Sequence, residues 1–234
     1  MKLAIMQPYF FPYIGYFQLV NAVNKFVFFD DANFITRGWI QRNKFLIGGE
    51  PRLVGIPLKN ASQNKLICDV EVDDAQPWRE KFLRTIELAY RKAPQFATVF
   101  PLVAKIATSG ETKIATLAAM SVKAVAEFLG FTTEFVATSR IYRNQILKAE
   151  HRILDICQRE QATDYVNPIG GRELYRRCDF ATRNIRLHFL EAKPLTYQQF
   201  NGHFTPWLST IDALMFNDKE RTRSLLQEFT LHSA

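Results

Sequence analysis

The apolar residues of the first thirty positions predict a strand, a helix and a second strand. Residues 3–6 (Leu-Ala-Ile-Met) form a short apolar run that is typical of a buried strand, and the run ends at Gln7. A helix is predicted to open at Gly15, and residues 25–30 (Lys-Phe-Val-Phe-Phe-Asp) predict the next strand. This succession indicates a parallel α/β unit. Ligands bind beyond the carboxyl ends of the strands in such sheets, which places Gln7 and Asp30 at a candidate site.

The rest of the chain alternates between helical and strand periodicity. Helical spacing of apolar residues predicts helices over 78–90, 95–107, 112–128, 145–159, 172–178, 208–216 and 219–229. Strands are predicted over 133–137, 164–168 and 185–191. Two β-rich runs, 34–47 and 52–58, flank a Gly-Gly pair and predict a hairpin, and alternation over 65–72 predicts a further strand.

These elements predict one α/β domain over residues 1–234. A central, mostly parallel sheet is flanked by helices. The hairpin and the strand after it are interpreted as a β insertion within 34–73. The helices between 76 and 130 are interpreted as a helical subdomain.

An aromatic turn follows the first strand, with Tyr9 and Tyr13 among two prolines. The Tyr13-Ile-Gly-Tyr segment has the position of the His-Ile-Gly-His tetrad that opens a helix in class I nucleotidylyltransferases. Tyrosine supplies no imidazolium charge, so adenylyl transfer of the usual kind is not expected. Three interpretations stay open: a nucleotide site by analogy, a pocket for another ligand, and packing of the helix on the sheet.

A second polar stretch, residues 38–43 (Gly-Trp-Ile-Gln-Arg-Asn), combines a large aromatic with a forked cation. Arg42 is predicted to be the main clamp for a phosphate or carboxylate, because a guanidinium binds such groups in a bidentate manner. On a strand, Trp39 and Asn43 would share one face. The alternative is a surface hairpin with a half-buried Trp39. Asp30, at the end of its strand, is a ligand or metal candidate, or a turn former.

The stretch 165–175 runs from a strand through a glycine pair towards a helix. The backbone N–H groups of Gly170 and Gly171 are predicted to form a second anion contact. Asn167 and Arg172 would add side-chain donors, and Tyr175 belongs to the same candidate site. A plain tight turn is the alternative interpretation.

The segment 197–212 contains the candidate general base, His203, in a loop rich in aromatic residues. A histidine whose pKa is near neutrality suits proton removal, and Asp212 is predicted to orient it. An exposed loop histidine without such a role is the alternative. Ser209 has the spacing of a helix N-cap and is also a ligand candidate. No His or Cys cluster with metal-ligand spacing occurs, so no metal is predicted.

Composition limits the partners. The formal net charge of +7 favours an anionic small molecule. Nucleic acid is not expected, because no RRM, KH or zinc-finger pattern occurs. No apolar stretch has the roughly 20 residues that a membrane helix needs. The start of the chain lacks a signal-peptide pattern, which predicts a cytoplasmic protein. No cofactor and no oligomeric state are indicated.

Four stretches together resemble the WbqC-like family. They are residues 7–16, residues 38–43, residues 165–168 with 170–171 and 174–175, and residues 204–212. They span nearly the whole chain and keep the order of the family. The departures are Gln41, where the family pattern has asparagine, and Thr210, where it has isoleucine.

The resemblance implies a role in O-antigen or other surface-polysaccharide biosynthesis. The expected activity is acyl or aminoacyl transfer to a nucleotide-linked amino sugar, without a metal. One alternative is a non-catalytic ligand-binding or assembly factor of the same pathway. Another is a degenerate, nucleotide-binding relative of nucleotidylyltransferases. The four stretches are expected to converge on one cleft.

Overall fold

The fold is built on a six-stranded sheet. The computed structural model describes residues 1–200 and 202–234. The strands within this part of the chain are β1 (Lys2–Met6), β2 (Lys25–Phe28), β3 (Arg42–Ile47), β4 (Glu50–Gly55), β5 (Leu58–Lys59), β6 (Glu71–Val72), β7 (Glu134–Val136), β8 (Asp164–Pro168), β9 (Arg186–Ala192) and β10 (Phe229–Ser233). The large sheet has the order β10–β9–β8–β1–β2–β7, and only β10 runs antiparallel to its neighbour. The predicted α/β class with a mostly parallel sheet is confirmed.

Helices cover both faces of this sheet. Their bounds are α1 (Ile14–Ala22), α2 (Trp78–Tyr90), α3 (Phe96–Ala107), α4 (Ile114–Leu129), α5 (Glu150–Arg159), α6 (Arg177–Ala181), α7 (Thr210–Phe216) and α8 (Lys219–Leu225). Helices α1 to α4 and α7 contribute to the core on one face, and α5 and α6 contribute to the core on the other. Both faces of the sheet are therefore buried.

Successive residues of β1 point into the two cores in turn. Ala4 packs into the larger core, while Leu3 and Ile5 pack into the smaller one. A strand that is buried on both faces has no polar face, so its sequence is a continuous apolar run. This is why residues 3–6 were recognisable as a strand.

The chain connections create a switch point beside β1. From β1 the chain continues to β2 on one side, and from β8 it continues to β9 on the other side. Connections that leave two adjacent parallel strands in opposite directions open a crevice at the carboxyl ends of those strands. In this sheet the crevice lies beyond Met6 and Pro168.

The predicted hairpin is present as β3 and β4, which pair around Gly48 and Gly49. Both glycines have positive φ values, 63° and 84°, which suit this turn. The hairpin and the small β5–β6 sheet lie within 34–73, and α2 to α4 lie within 76–130. The single-domain assignment with these two subdivisions stays a prediction.

Two strand predictions in this region are wrong. Residues 34–41 form turns, with Arg37 at φ 63°, and the strand begins only at Arg42. Residues 65–72 contain a 3₁₀ turn at Ile67–Asp69 and only the short β6. The backbone N–H groups of Ile67 and Cys68 donate to the carbonyls of Ala32 and Asp30 in the loop after β2. The described contacts there form one isolated antiparallel bridge, between Asn33 and Leu66, and not a continuous strand ladder.

The second half of the chain differs from the prediction at helix boundaries. Helix α5 begins at Glu150, not at residue 145. The helix predicted over 172–178 is a 3₁₀ turn at Ile169–Leu174 followed by α6. The helix predicted to reach residue 229 ends at Leu225, and β10 follows it. None of the described helices is both long enough and apolar enough to cross a membrane.

The amino ends of β8 and β9 are joined by the carboxylate of Asp164. It accepts hydrogen bonds from Arg186 Nε and Nη2, each at 2.8 Å, and from Thr163 Oγ1 at 2.8 Å, and lies 2.8 Å from His188 Nε2. Burial alone would raise the pKa of Asp164. The donors outweigh this effect, so the pKa of Asp164 lies below its ordinary value of 3.8.

This ion pair predicts an acid-sensitive contribution to stability. A carboxylate with a lowered folded-state pKa stabilises fully above 3.8, and the contribution is lost as the pH falls towards the folded pKa. Asp164→Asn should lower the free energy of unfolding by about 2 kcal/mol at neutral pH. Between neutral pH and about pH 2.5, the free energy of unfolding of this variant should fall by less than that of the wild type. Urea unfolding at several pH values measures this. Asp69→Asn, at an exposed ion pair with Arg140, serves as the control. Equal acid dependence in wild type and Asp164→Asn would contradict the prediction.

Candidate functional site

A cavity of about 460 Å³ lies at the switch point. Residues from the end of β1, the aromatic turn, the loop before β3 and the end of β8 line it. We call it the switch crevice and define it by Gln7, Tyr9, Tyr13, Trp39 and Pro168. Three of the four predicted stretches therefore contribute residues to one cavity.

Aromatic and aliphatic residues together form most of the walls of the switch crevice. The ring centroids of Tyr9 and Trp39 are 6.3 Å apart, and Trp39 is 47% exposed. The hydroxyls of Tyr9 and Tyr13 make no hydrogen bond with the described residues. Burial raises the pKa of both phenols. These groups are therefore neutral donors at physiological pH, and neither acts as a tyrosinate base.

The Tyr13-Ile-Gly-Tyr segment builds one wall of the crevice. The hydroxyl of Tyr16 donates to the carbonyl of Gln7 at 2.9 Å, which fixes the end of β1. The ring of Tyr13 packs against Gly15 so closely that a Cβ there would overlap it. The space beside this glycine, which the nucleotidylyltransferase analogy reserves for a nucleotide, is filled by Tyr13.

Three of the predicted stretches meet at the backbone carbonyl of Phe11. This oxygen accepts a hydrogen bond from Asn43 Nδ2 at 2.6 Å and one from Ser209 Oγ at 2.8 Å. Both side chains are buried. The prediction that Asn43 and Ser209 bind ligand is corrected on this point, because their donors are used within the protein. Ser209 also accepts from the backbone N–H of Ile211 as the N-cap of α7, as its spacing predicted.

Backbone hydrogen bonds reinforce this meeting point. Phe10 N donates to Ile40 O at 2.9 Å, and Thr210 N donates to Pro12 O at 2.8 Å. The aromatic turn, the loop before β3 and the start of α7 are thus held together by main-chain groups as well as side chains. These contacts fix the backbone on which Tyr13 and Trp39 are carried into the crevice.

Arg42 lies at the rim of the crevice, where its guanidinium carbon is 5.8 Å from the Trp39 ring centre. Its Nε donates to the carbonyl of Gly38 at 2.7 Å, and its Nη2 donates to the carbonyl of Arg37. The role predicted for Arg42, the main anion clamp, is therefore corrected. Most of its fork holds the loop that carries Trp39.

Asn167 is buried at the end of β8 and braces the turn that follows. Its Oδ1 accepts from the hydroxyl of Tyr165 at 3.2 Å, and its Nδ2 donates to Pro168 O at 3.0 Å. The hydroxyl of Tyr175 lies 3.4 Å from that of Tyr165, and the two rings pack edge to face. Asn167 and Tyr175 were predicted to contact a ligand. In the structure both contact Tyr165, and Asn167 also donates to the backbone of Pro168, so their polar groups serve contacts within the protein.

The turn after β8 does present one cation at the carboxyl edge. Gly170 and Arg172 are exposed, and Arg172 makes no hydrogen bond or ion pair within residues 1–200 and 202–234. A Cβ on Gly171 would overlap the amide of Asn167, whereas a Cβ on Gly170 would meet nothing within 4 Å. Gly171 is required for close packing, and Gly170 is not.

Asp30 and its neighbour Asp31 fasten the loop after β2. The Asp30 carboxylate accepts from Thr138 Oγ1 at 2.8 Å and from Ser139 N at 3.0 Å. Burial raises the pKa of Asp30, and these hydrogen bonds offset part of that effect. Asp31 pairs with Arg152 Nη2 at 2.6 Å. Asp30 does not line the switch crevice, so its predicted ligand role is corrected in favour of the alternative, turn formation.

The predicted pair of His203 and Asp212 is not formed. The fully buried Asp212 carboxylate accepts from Tyr90 at 2.9 Å and from Tyr197 and Gln199, each at 2.7 Å. Burial raises the pKa of Asp212, and the hydrogen bonds from Tyr197 and Gln199 counter this. His203 is exposed and makes no hydrogen bond with the described residues. Asp212 therefore anchors the loop over 197–199, and the prediction that it orients a general base is wrong.

A second cavity, of about 370 Å³, shares Tyr13 with the switch crevice. It is lined by the start of α1, the segment after β9 and residues 204–209. Sequence reasoning missed Gln18, which lies in its wall. The available signal was a single glutamine within the apolar run of α1. Among the described residues, no group of three or more His, Cys, Asp or Glu side chains is placed to hold a metal ion.

The fold and the cavity define an α/β protein with a crevice at its switch point that is lined partly by aromatic residues. A family model described as the WbqC-like protein family matches residues 7–224, and the chain belongs to this family. The chain is similar to "Uncharacterized protein Rv1507c" of Mycobacterium tuberculosis (strain ATCC 25618 / H37Rv). The two are 28% identical over 218 residues, which cover 92% of this chain and 93% of that protein. No solved structure matches the chain.

Removal of the Ser209 hydroxyl should lower the free energy of unfolding by more than the loss of a helix cap alone would. Ser209→Ala removes the N-cap of α7 and also one buried donor to Phe11 O, so the free energy of unfolding should fall by about 2–3 kcal/mol. Asp218→Ala removes only the exposed N-cap of α8 and should cost about 1 kcal/mol. Urea denaturation compares the two variants. Equal losses would show that the contact with Phe11 adds nothing.

The glycine pair after β8 offers a matched test of packing. Gly171→Ala should displace the Asn167 amide and lower the free energy of unfolding by about 1–3 kcal/mol. Gly170→Ala should change it by less than about 0.5 kcal/mol. Thermal unfolding followed by circular dichroism measures both. If Gly170→Ala is the more damaging substitution, the described turn is incorrect.

Proposed function

We propose that this protein binds a nucleotide-linked amino sugar in the switch crevice and acts in the biosynthesis of O-antigen or another surface polysaccharide. The observation that carries the proposal is that one cavity combines the exposed aromatic ring of Trp39 with the phenols of Tyr9 and Tyr13, which have no hydrogen-bond partner among the described residues. Membership of the WbqC-like family supports the proposed pathway.

The walls of the crevice suit the two sides of a sugar ring. The C–H face of a pyranose packs on aromatic rings such as Trp39. Its hydroxyl groups accept a hydrogen bond from the neutral phenol of Tyr13. Gln7 lines the same cavity, and its amide supplies both a donor and an acceptor.

We assign the diphosphate of the nucleotide-linked sugar to the turn after β8. Arg172 follows Pro168, which lines the crevice, and it has no competing partner among the described residues. The backbone at Gly170 is exposed beside it. This arrangement replaces Arg42 by Arg172 as the proposed main cation, and the net charge of +7 favours an anionic ligand overall.

The proposed reaction is acyl or aminoacyl transfer to the sugar amine. The amine nitrogen forms a bond to the acyl carbonyl carbon, the bond to the leaving group breaks, and the leaving group departs with the amine proton. The phenol of Tyr9 would donate to the carbonyl oxygen as negative charge develops on it. The protein would act in the cytoplasm, where nucleotide sugars are available.

A non-catalytic binding or assembly role in the same pathway is the second candidate. The observation in its favour is that none of the described residues lining the switch crevice is a histidine, cysteine, aspartate or glutamate. A crevice without these side chains still binds a sugar through stacking and hydrogen bonds. It offers no general base for a transfer reaction. The nucleotidylyltransferase-like alternative is not favoured, because Tyr13 packs on Gly15.

Binding should depend on Trp39. Trp39→Ala should weaken the binding of a nucleoside-diphosphate amino sugar by about 1 kcal/mol, since the stacking surface is lost. Ile146→Ala, at a side chain that is 91% exposed and lines neither cavity, should bind as the wild type does. Isothermal titration calorimetry with a panel of nucleotide sugars measures this. Unchanged affinity in Trp39→Ala would contradict the proposed site.

A second measurement separates the two candidate roles. The wild type is incubated with the bound nucleotide sugar and an activated acyl or aminoacyl donor, and mass spectrometry records the sugar product. An amide product that is lost in Tyr9→Phe with sugar binding retained supports transfer. Tight binding without any product supports the non-catalytic role.

A further inference from the structure

The cavity beside the switch crevice has a distinct composition. Apolar and aromatic residues form most of its wall, including Tyr13, Leu195, Phe204, Trp207 and Leu208. Lys193 is the only charged residue that lines it among those described, and its side chain is 53% exposed. We call this cavity the Gln18 pocket. It suits a neutral, mainly apolar group, unlike the anionic ligand proposed for the crevice.

Gln18 gives the pocket one buried polar group. The residue is fully buried on α1 and lines the cavity. Its Nε2 donates to the carbonyls of Glu228 at 2.9 Å and Leu225 at 3.3 Å. These two acceptors fix the orientation of the amide, because the flipped form would turn its oxygen towards two carbonyl oxygens.

The oxygen of that amide has no hydrogen-bond partner within the described part of the chain. Gln18 Oε1 is buried and accepts no hydrogen bond from the residues that the structure describes. An unpaired buried acceptor is costly, and most such groups in folded proteins are paired. A ligand group with an N–H or O–H donor would complete it.

Trp207 lines the same pocket. Its side chain is 70% exposed, and its ring centre is 5.9 Å from that of Tyr13. Its backbone has a φ of 62°, which is rarely adopted by a bulky residue. Strained backbone of this kind is concentrated at ligand sites, and the exposed ring offers an apolar surface beside the cavity.

We infer that the Gln18 pocket binds a neutral acyl group whose chain or linkage carries one hydrogen-bond donor, an amide N–H or a hydroxyl. The apolar walls take the hydrocarbon, and Gln18 Oε1 accepts from the donor. Tyr13 separates this group from the sugar in the switch crevice. The identification of the group as acyl rests on the proposed function, whereas the existence of the pocket ligand does not.

The test uses the full-length protein and two matched pairs of small probes. N-butylbutanamide has the amide donor and butyl butanoate lacks it at equal chain length. Hexan-1-ol has a hydroxyl donor and its isomer 1-methoxypentane lacks it. NMR titration of the protein measures each affinity. We expect at least one donor probe to bind about tenfold more tightly than its matched partner, and the stronger pair identifies the donor type.

Variants locate the binding. Gln18→Leu should abolish the preference for the donor probe. Because this change also removes two structural hydrogen bonds, Trp207→Ala provides a second variant with an exposed side chain, and it should weaken both members of the stronger pair several-fold. Leu88→Ala, at an exposed residue of α2 that lines neither cavity, should bind as the wild type does.

The result that overturns the inference is equal affinity within both pairs, absence of binding, or a donor preference that survives Gln18→Leu. Failure of the proposed function is recognised separately. Trp39→Ala should impair nucleotide-sugar binding and leave the donor probe unaffected. Loss of sugar binding in the wild type together with an intact donor preference would reject the proposed function and keep the pocket.

Discussion

The arrangement of the candidate site depends on the hydrogen bonds that the carbonyl oxygen of Phe11 accepts. This oxygen accepts from Asn43 and Ser209, which lie 32 and 198 residues further along the chain. Phe11 has a φ of 41°, a conformation that non-glycine residues rarely adopt. The two buried donors hold that conformation, and the turn they fix carries Tyr9 and Tyr13 into the cavities on either side.

This arrangement divides the polar and aromatic residues of the four stretches by role. Irregular loops leave backbone groups without ladder partners, and buried groups of this kind need donors and acceptors from side chains. Asn43 and Ser209 meet that need at Phe11, and Arg42 does so for the loop before β3. The carboxylate of Asp212 instead holds the side chains of Tyr90, Tyr197 and Gln199 together. The groups that remain for the proposed ligand include the ring of Trp39, the phenols of Tyr9 and Tyr13 and the amide of Gln7. Arg172, in the turn after β8, adds a cation.

The sequence predicts elements well where one local signal dominates. The apolar run of β1, the helical spacing of α2 and the strand β8 were recognised in this way. The segment 65–72 was misinterpreted because its alternation matches a strand, while tertiary hydrogen bonds to the loop after β2 dictate a turn. The carboxyl edge of the sheet, where the sequence predicts the candidate site, holds the switch crevice. The predicted pairing of His203 with Asp212 rested on their closeness in sequence, but Asp212 accepts hydrogen bonds from Tyr90 on α2 and from Tyr197 and Gln199 instead.

The indole N–H signals of the three tryptophans test the central claim most directly. Trp39 lies in the switch crevice, Trp207 lies at the Gln18 pocket, and Trp78 donates its N–H to Asp74 at 2.8 Å away from both. In ¹H–¹⁵N NMR spectra, a nucleotide-linked amino sugar should shift the Trp39 signal most and leave Trp78 in place. A saturating nucleotide sugar that leaves Trp39 unshifted, or that shifts Trp78 most, would contradict a ligand site at the switch point.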